Sequence, residues 1–171
     1  MQLKEAPIMA TVREALKVAM RSGDSVAKNT LRDVMSSVKN ANIAKPGSVL
    51  TDSGVHDLVH SLISTREKSA QEYLIGKRDA LAQNELAEVE ILKQIVSKIK
   101  VASPEEVDEK VREFIKGLNF ETPQMGKVMA EIKKLDTEAV WHASQKSVAL
   151  AVQRALGVRK YSTHQNPLVR T

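Results

Sequence analysis

"REKSAQEYLIGKRDALAQNELAEVEIL", Arg66 to Leu92, holds two helical patterns on either side of Gly76-Lys77. At about 100° per residue, Arg66 falls in the middle of its own apolar arc, between Leu62, Ile63, Ala70 and Tyr73. Glu88 holds the same kind of place in the following pattern, between Leu81 and Leu92. A lone charge on a packed face is costly. If the two helices form an antiparallel hairpin turning near Lys77, Arg66 and Glu88 lie equally far from the turn and face each other. Two roles are open to the arginine: a shielded ion pair that fixes helix register, or an arginine that holds a ligand. The pair is the simpler reading.

On either side of this block apolar residues recur at helical spacing nearly throughout, and no segment alternates with period two, so the spacing predicts an all-α fold. A first helix carries Ile8, Val12, Ala15, Leu16 and Ala19 and ends near Ser22-Gly23. A second is capped by Asp24 or Ser25, shows Ala27, Leu31, Val34, Met35 and Val38, and stops before Pro46-Gly47. The third begins after Thr51 to Ser53 and runs to Gly76; the fourth runs from about Asp79 to about Lys100. These four form an N-terminal helical bundle, residues 1–100.

"VASPEEV" then offers Ser103 as a cap, Pro104 at the first helical position and Glu106 reaching back to the cap. That fifth helix presents Val107, Val111, Phe114, Ile115 and Leu118. Thr122-Pro123 repeats the cap-then-proline signal ahead of Met125, Val128, Met129, Ile132 and Leu135. A last helix spans about Ser144 to Leu156 and closes at Gly157. Residues 101–157 thus read as a small three-helix domain, and 158–171, without periodicity, as a mobile tail.

At 171 residues the chain can bury roughly 70% of its unfolded surface without staples. It has no Cys, which excludes disulfides and thiolate metal sites. No apolar run approaches a membrane span, and "MQLKEAPIM" lacks the order of a secretory signal, so a soluble protein is expected. With one Trp, two Tyr and two Phe, it has few platforms on which bases could stack, although its net charge is +5. That charge is uneven: net +4 over residues 1–78, −4 over 79–121 and +5 over 122–171. Solvated helix faces account for such a pattern by default.

Three motifs could carry chemistry. "GLNFETPQMGKVMAEIKK", 117–134, contains Gly126-Lys127, but the spacing from Gly117 and the Val128 that follows exclude a nucleotide-phosphate loop. Lys127 instead belongs to the early turns of a helix, off its apolar stripe. "HDLVH" sets His56 and His60 on one helix face, yet no third metal ligand accompanies them and Asp57 is a poor replacement for a glutamate base, so no metal is expected. No nucleophile, base and orienter assemble, and no catalytic residue or cofactor is assigned. Basic residues, the third motif, recur on the first two helices as Arg13, Lys17, Arg21, Lys28, Arg32 and Lys39. They concentrate more strongly at Lys127, Lys133, Lys134, Lys146, Arg154, Arg159 and Lys160.

Taken together, "AMRSGDSVAKNTLRDVMSSVKNANI" (19–43), the Arg66 to Leu92 block and "MGKVMAEI" (125–132) resemble the GatB/YqeY family over about residues 8–156. "LDTEAVWHASQKSVALAVQRAL", with Trp141 in place of the glycine-rich turn of bacterial members, resembles the fungal mitochondrial members linked to altered inheritance of mitochondria. The resemblance implies a helical bundle followed by a small domain similar to the tail of the B subunit of the glutamyl-tRNA(Gln) amidotransferase. In that enzyme the tail helps recognise tRNA, while kinase and amidase chemistry lie in domains absent here. It implies a phosphate contact on RNA at Gly126 and Lys127; the concentration of basic residues extends the expected RNA-binding set to Lys133, Lys134, Lys146 and Arg154, with the Arg13, Lys17, Arg21, Lys28, Arg32, Lys39 face as a secondary surface. The implied partners are tRNA and amidotransferase subunits rather than DNA, in a mitochondrion. Two other classes stay open: an assembly factor whose basic surface meets acidic protein or anionic lipid, and a carbon-nitrogen ligase with glutamine as amido donor.

Overall fold

The computed structural model describes residues 5–44, 49–118 and 120–157. Among these there is no strand, and eight helices follow in order: α1 (Ile8–Ser22), α2 (Ser25–Ala44), α3 (Asp52–Ile75), α4 (Asp79–Val96), α5 (Pro104–Gly117), α6 (Met125–Ile132), α7 (Thr137–Trp141) and α8 (Gln145–Ala155). Contacts divide the chain into two compact units between Val101 and Ala102. The expected tail, 158–171, lies outside the described residues.

Local chemistry sets the helix ends of the first unit. Gly23 takes a left-handed φ of 73° and its N–H returns to Ala19, which terminates α1. Asp24 Oδ1 then accepts from Ala27 N at 2.9 Å and starts α2. Thr51 caps α3 by accepting from Gly54 N. Asp52 accepts from Ile8 N at 3.0 Å, joining the start of α3 to the start of α1. Between these anchors the apolar stripes meet in one core, in which Val12, Val34, Val55, Val59 and Leu92 are buried. α4 ends at Val96 rather than near Lys100, because Lys98 and Ile99 bond three residues back in a tightened turn that still buries Ile99.

Where α3 and α4 leave that core, Arg66 Nε donates to Glu88 Oε2 at 2.7 Å. Its Nη2 donates to Asp33 Oδ2 of α2, also at 2.7 Å. The arginine side chain is 14% exposed and Glu88 19%, whereas Asp33 is 44% exposed. Burial opposes the charge of Arg66, but the hydrogen bonds to Glu88 and Asp33 outweigh it and raise its pKa. Nearer the turn, the buried side chains of the hairpin are Ala70 and Ala82 alone. The turn itself puts Lys77, a residue with a side chain, at φ 54°.

The second unit is built on α5, whose start is the expected capping box. Glu106 N donates to Ser103 Oγ at 3.2 Å and Ser103 N to Glu106 Oε2 at 2.8 Å. α5 packs chiefly on α8, and α6 on α8, around Val107, Val111, Val128, Ile132, Val148 and Val152. α6 begins at Met125 and not at Thr122-Pro123. Phe120 and Met125 both pack on the core, and the stretch between them stays non-helical up to an extended Gln124. The unit also has a fourth, short helix, α7, which Asp136 starts by accepting from Ala139 N. α7 delivers Trp141 into the core, 7% exposed, edge-on to Phe114 with ring centroids 5.7 Å apart.

Two stability effects are expected in urea titrations. Arg66→Met should cost about 3 kcal/mol, because it strands a shielded carboxylate, and Glu88→Gln only about 1 kcal/mol, because Asp33 still holds the guanidinium. Equal losses would show that Asp33 adds nothing. Lys77→Gly should leave stability unchanged or raise it by up to about 1 kcal/mol, since relief of the left-handed strain is partly offset by glycine's freedom when unfolded.

Candidate nucleic-acid interface

The α6 amino terminus is the least satisfied helix start in the second unit. Ser103, Asp136 and Ser144 cap α5, α7 and α8 with side-chain oxygens, whereas Gln124 makes no capping hydrogen bond. The first intrahelical bond of α6 runs from Val128 N to Gln124 O, so the N–H groups of Met125, Gly126 and Lys127 have no side-chain cap among the described residues. Gly126 faces open space: a methyl group in place of its hydrogen would meet nothing within 4 Å. Lys127 is exposed beside it. Such an end attracts an anion through both its dipole and its free donors.

The remaining cations of this unit divide into engaged and free. Arg154 forks onto Asp108 of α5, with Nε 3.0 Å from both carboxylate oxygens and Nη2 2.5 Å from Oδ1. Its hydrogen bonds to Asp108 raise its pKa. Arg154 thereby clamps α8 to α5. Lys134 lies 2.7 Å from Glu131. Lys127, Lys133 and Lys146 are exposed and form no ion pair among the described residues. Arg159 and Lys160 lie outside the described residues.

On the first unit two of the six cations of the basic face are paired. Arg13 pairs with Glu5, and Lys17 pairs with Glu14 at 2.6 Å. The hydrogen bond from Lys17 lowers the Glu14 pKa, and Arg21 adds to the same field. Arg32 and Lys39 are exposed without an ion pair among the described residues, and Lys28 is half-buried.

His56 and His60 neighbour each other on α3 with ring centroids 4.4 Å apart and planes tilted by 58°, and His56 Nδ1 lies 3.8 Å from Asp57. No group of three or more His, Cys, Asp or Glu among the described residues is placed to hold a metal. Sequence reasoning missed two features here: Asp33 as the second acceptor of Arg66, and Asp108 as the partner of Arg154. Both carboxylates border apolar stripes, at Val34 and Val107, and that adjacency was the available signal.

These features define a class: a small all-helical protein of two units, the second of which carries an uncapped helix start and free lysines. The chain belongs to the YqeY-like protein family, whose model matches residues 9–156. It is similar to "Altered inheritance of mitochondria protein 41, mitochondrial" of Candida glabrata, 30% identical over 149 residues covering 85% of this chain and 81% of that protein. The protein of the same name from Lachancea thermotolerans is 32% identical, covering 85% and 79%. That of Saccharomyces cerevisiae is 32% identical over 139 residues, covering 78% and 74%.

A pH effect follows from the histidine pair. Burial, and then the neighbouring charge of His60, lower the His56 pKa below the ordinary 6.5, against a smaller opposing effect of Asp57. The folded state then binds this proton less readily than the unfolded chain, so its contribution to stability is present above pH 6.5 and is lost as pH falls through the folded pKa. Melting temperature should therefore drop on acidification, and His56→Gln should flatten the drop; an identical pH profile in the variant would exclude His56 as its source.

Proposed function

We propose that this chain is a non-catalytic, tRNA-associated helical module of the mitochondrion, related to the tail of the amidotransferase B subunit and acting with tRNA-dependent amidation or translation. The observation that carries this reading is the uncapped start of α6, where free N–H groups and exposed Lys127 coincide. Lys133 and Lys146 add unpaired positive charge in the same unit. Lysine ammonium groups suit phosphate contact without base reading, so binding should be salt-sensitive and weakly selective. The family resemblance supplies tRNA as the nucleic acid, and the mitochondrial names of the relatives support the compartment. Arg154 is assigned to holding α8 on α5, with RNA contact secondary.

The test is tRNA binding by fluorescence anisotropy across a salt series. Lys127→Glu with Lys133→Glu should weaken binding and flatten the slope of log affinity against log salt by about 1.4 to 1.8 units, at ~0.7 to 0.9 per contact. Both side chains are exposed, so circular dichroism and melting temperature should not change. Unchanged affinity and slope in the folded double variant would transfer the function to protein assembly.

A further inference from the structure

We propose that the tip of the α3–α4 hairpin docks on an anionic lipid bilayer surface. Four of the large apolar side chains left exposed belong to this hairpin, and three crowd its tip: Leu74 at 49%, Ile75 at 83% and Leu81 at 46%. Ile75 ends a helix about 14 Å beyond Arg66, at 1.5 Å per residue, where Ala70 and Ala82 are the only buried side chains below it. The tip is a knob rather than a cleft.

Beside these apolar groups stand Lys77 and Arg78, both exposed and both without an ion pair among the described residues. The acids of the neighbourhood have other surroundings. Glu72 lies 3.9 Å from Lys68, and Asp79 sits in the first turn of α4, where the free N–H groups favour its charge. Residues 74–81 therefore carry two cations against one carboxylate. Apolar side chains at an apex, flanked by cations, match the layering of a bilayer surface, with acyl chains beneath and anionic headgroups above.

The backbone supplies an independent observation. Lys77 holds a left-handed φ of 54°, a conformation that glycine adopts without strain, while Gly76 next to it has an ordinary φ of −77°. A lysine kept at the strained position indicates use of its side chain rather than of the turn. No described helix is long and apolar enough to cross a membrane, so the contact is with the surface. RNA fits this tip less well, because the most exposed side chain is aliphatic and the tip offers no exposed aromatic face for a base. The inference is independent of the α6 interface.

The chain has no Cys, which makes a single label simple. Ile75→Cys carrying an environment-sensitive nitrobenzoxadiazole is titrated with vesicles of phosphatidylcholine alone and of phosphatidylcholine mixed with phosphatidylglycerol, and Glu113→Cys on α5 serves as the control position. Blue-shifted, brighter emission from position 75 with the anionic vesicles, reversed by salt and absent from position 113, is expected. In the otherwise native chain, followed by vesicle co-sedimentation, Lys77→Gly should weaken binding about fivefold, as one cation near an anionic surface does, while leaving the fold intact. No spectral change with anionic vesicles would overturn the proposal. So would a change elicited by tRNA and not by vesicles, which would make the tip an RNA contact, or full binding by Lys77→Gly.

Discussion

The guanidinium of Arg66 is the constraint around which the first unit is arranged. A charge in the apolar arc of a helix must be matched where it leaves water, and here two carboxylates from two other helices match it. Because a guanidinium is planar, with separate donors, Nε and Nη2 can serve Glu88 and Asp33 independently. The contact sets the register of α3 against α4 and ties both to α2. Once that register is set, Ala70 and Ala82 bring the two backbones close, and the turn falls at Lys77.

The second unit shows how little net charge says about a surface until partners are counted. The surplus over residues 122–171 becomes smaller because Arg154 is spent on Asp108, which lies outside that stretch, while Lys134 is held by Glu131, already counted within it. What remains unpaired among the described residues is Lys127, Lys133 and Lys146, three compact ammonium groups on flexible stems. Such groups bind phosphate as point charges, which favours electrostatic and sequence-tolerant contacts. The same accounting weakens the first unit's basic face, where Glu5 and Glu14 occupy Arg13 and Lys17.

The helical class, most helix ends and the capping box at Ser103 were legible because they depend on residues within a few positions of one another. Periodicity placed the core stripes, and the equal spacing of Arg66 and Glu88 about Lys77 was readable because a hairpin makes a long-range contact depend on local geometry. Thr122-Pro123 misled for the converse reason: its cap signal is local, but the backbone there stays non-helical between Phe120 and Met125, which both pack on the core. α7 escaped notice because a helix of five residues has too few turns to show a period.

The sequence by itself determined the all-helical class, the hairpin and the basic character of the chain's ends, since helical period and chain order are properties of neighbouring residues. Only the tertiary structure decided which charges are free. Asp33 reaches Arg66 across 33 positions and Asp108 reaches Arg154 across 46, and no local rule pairs residues so far apart. It also decided that Trp141 belongs to the core and that Ile75 and Lys77 stand at an uncovered tip, because burial depends on which helices pack and where their contact ends.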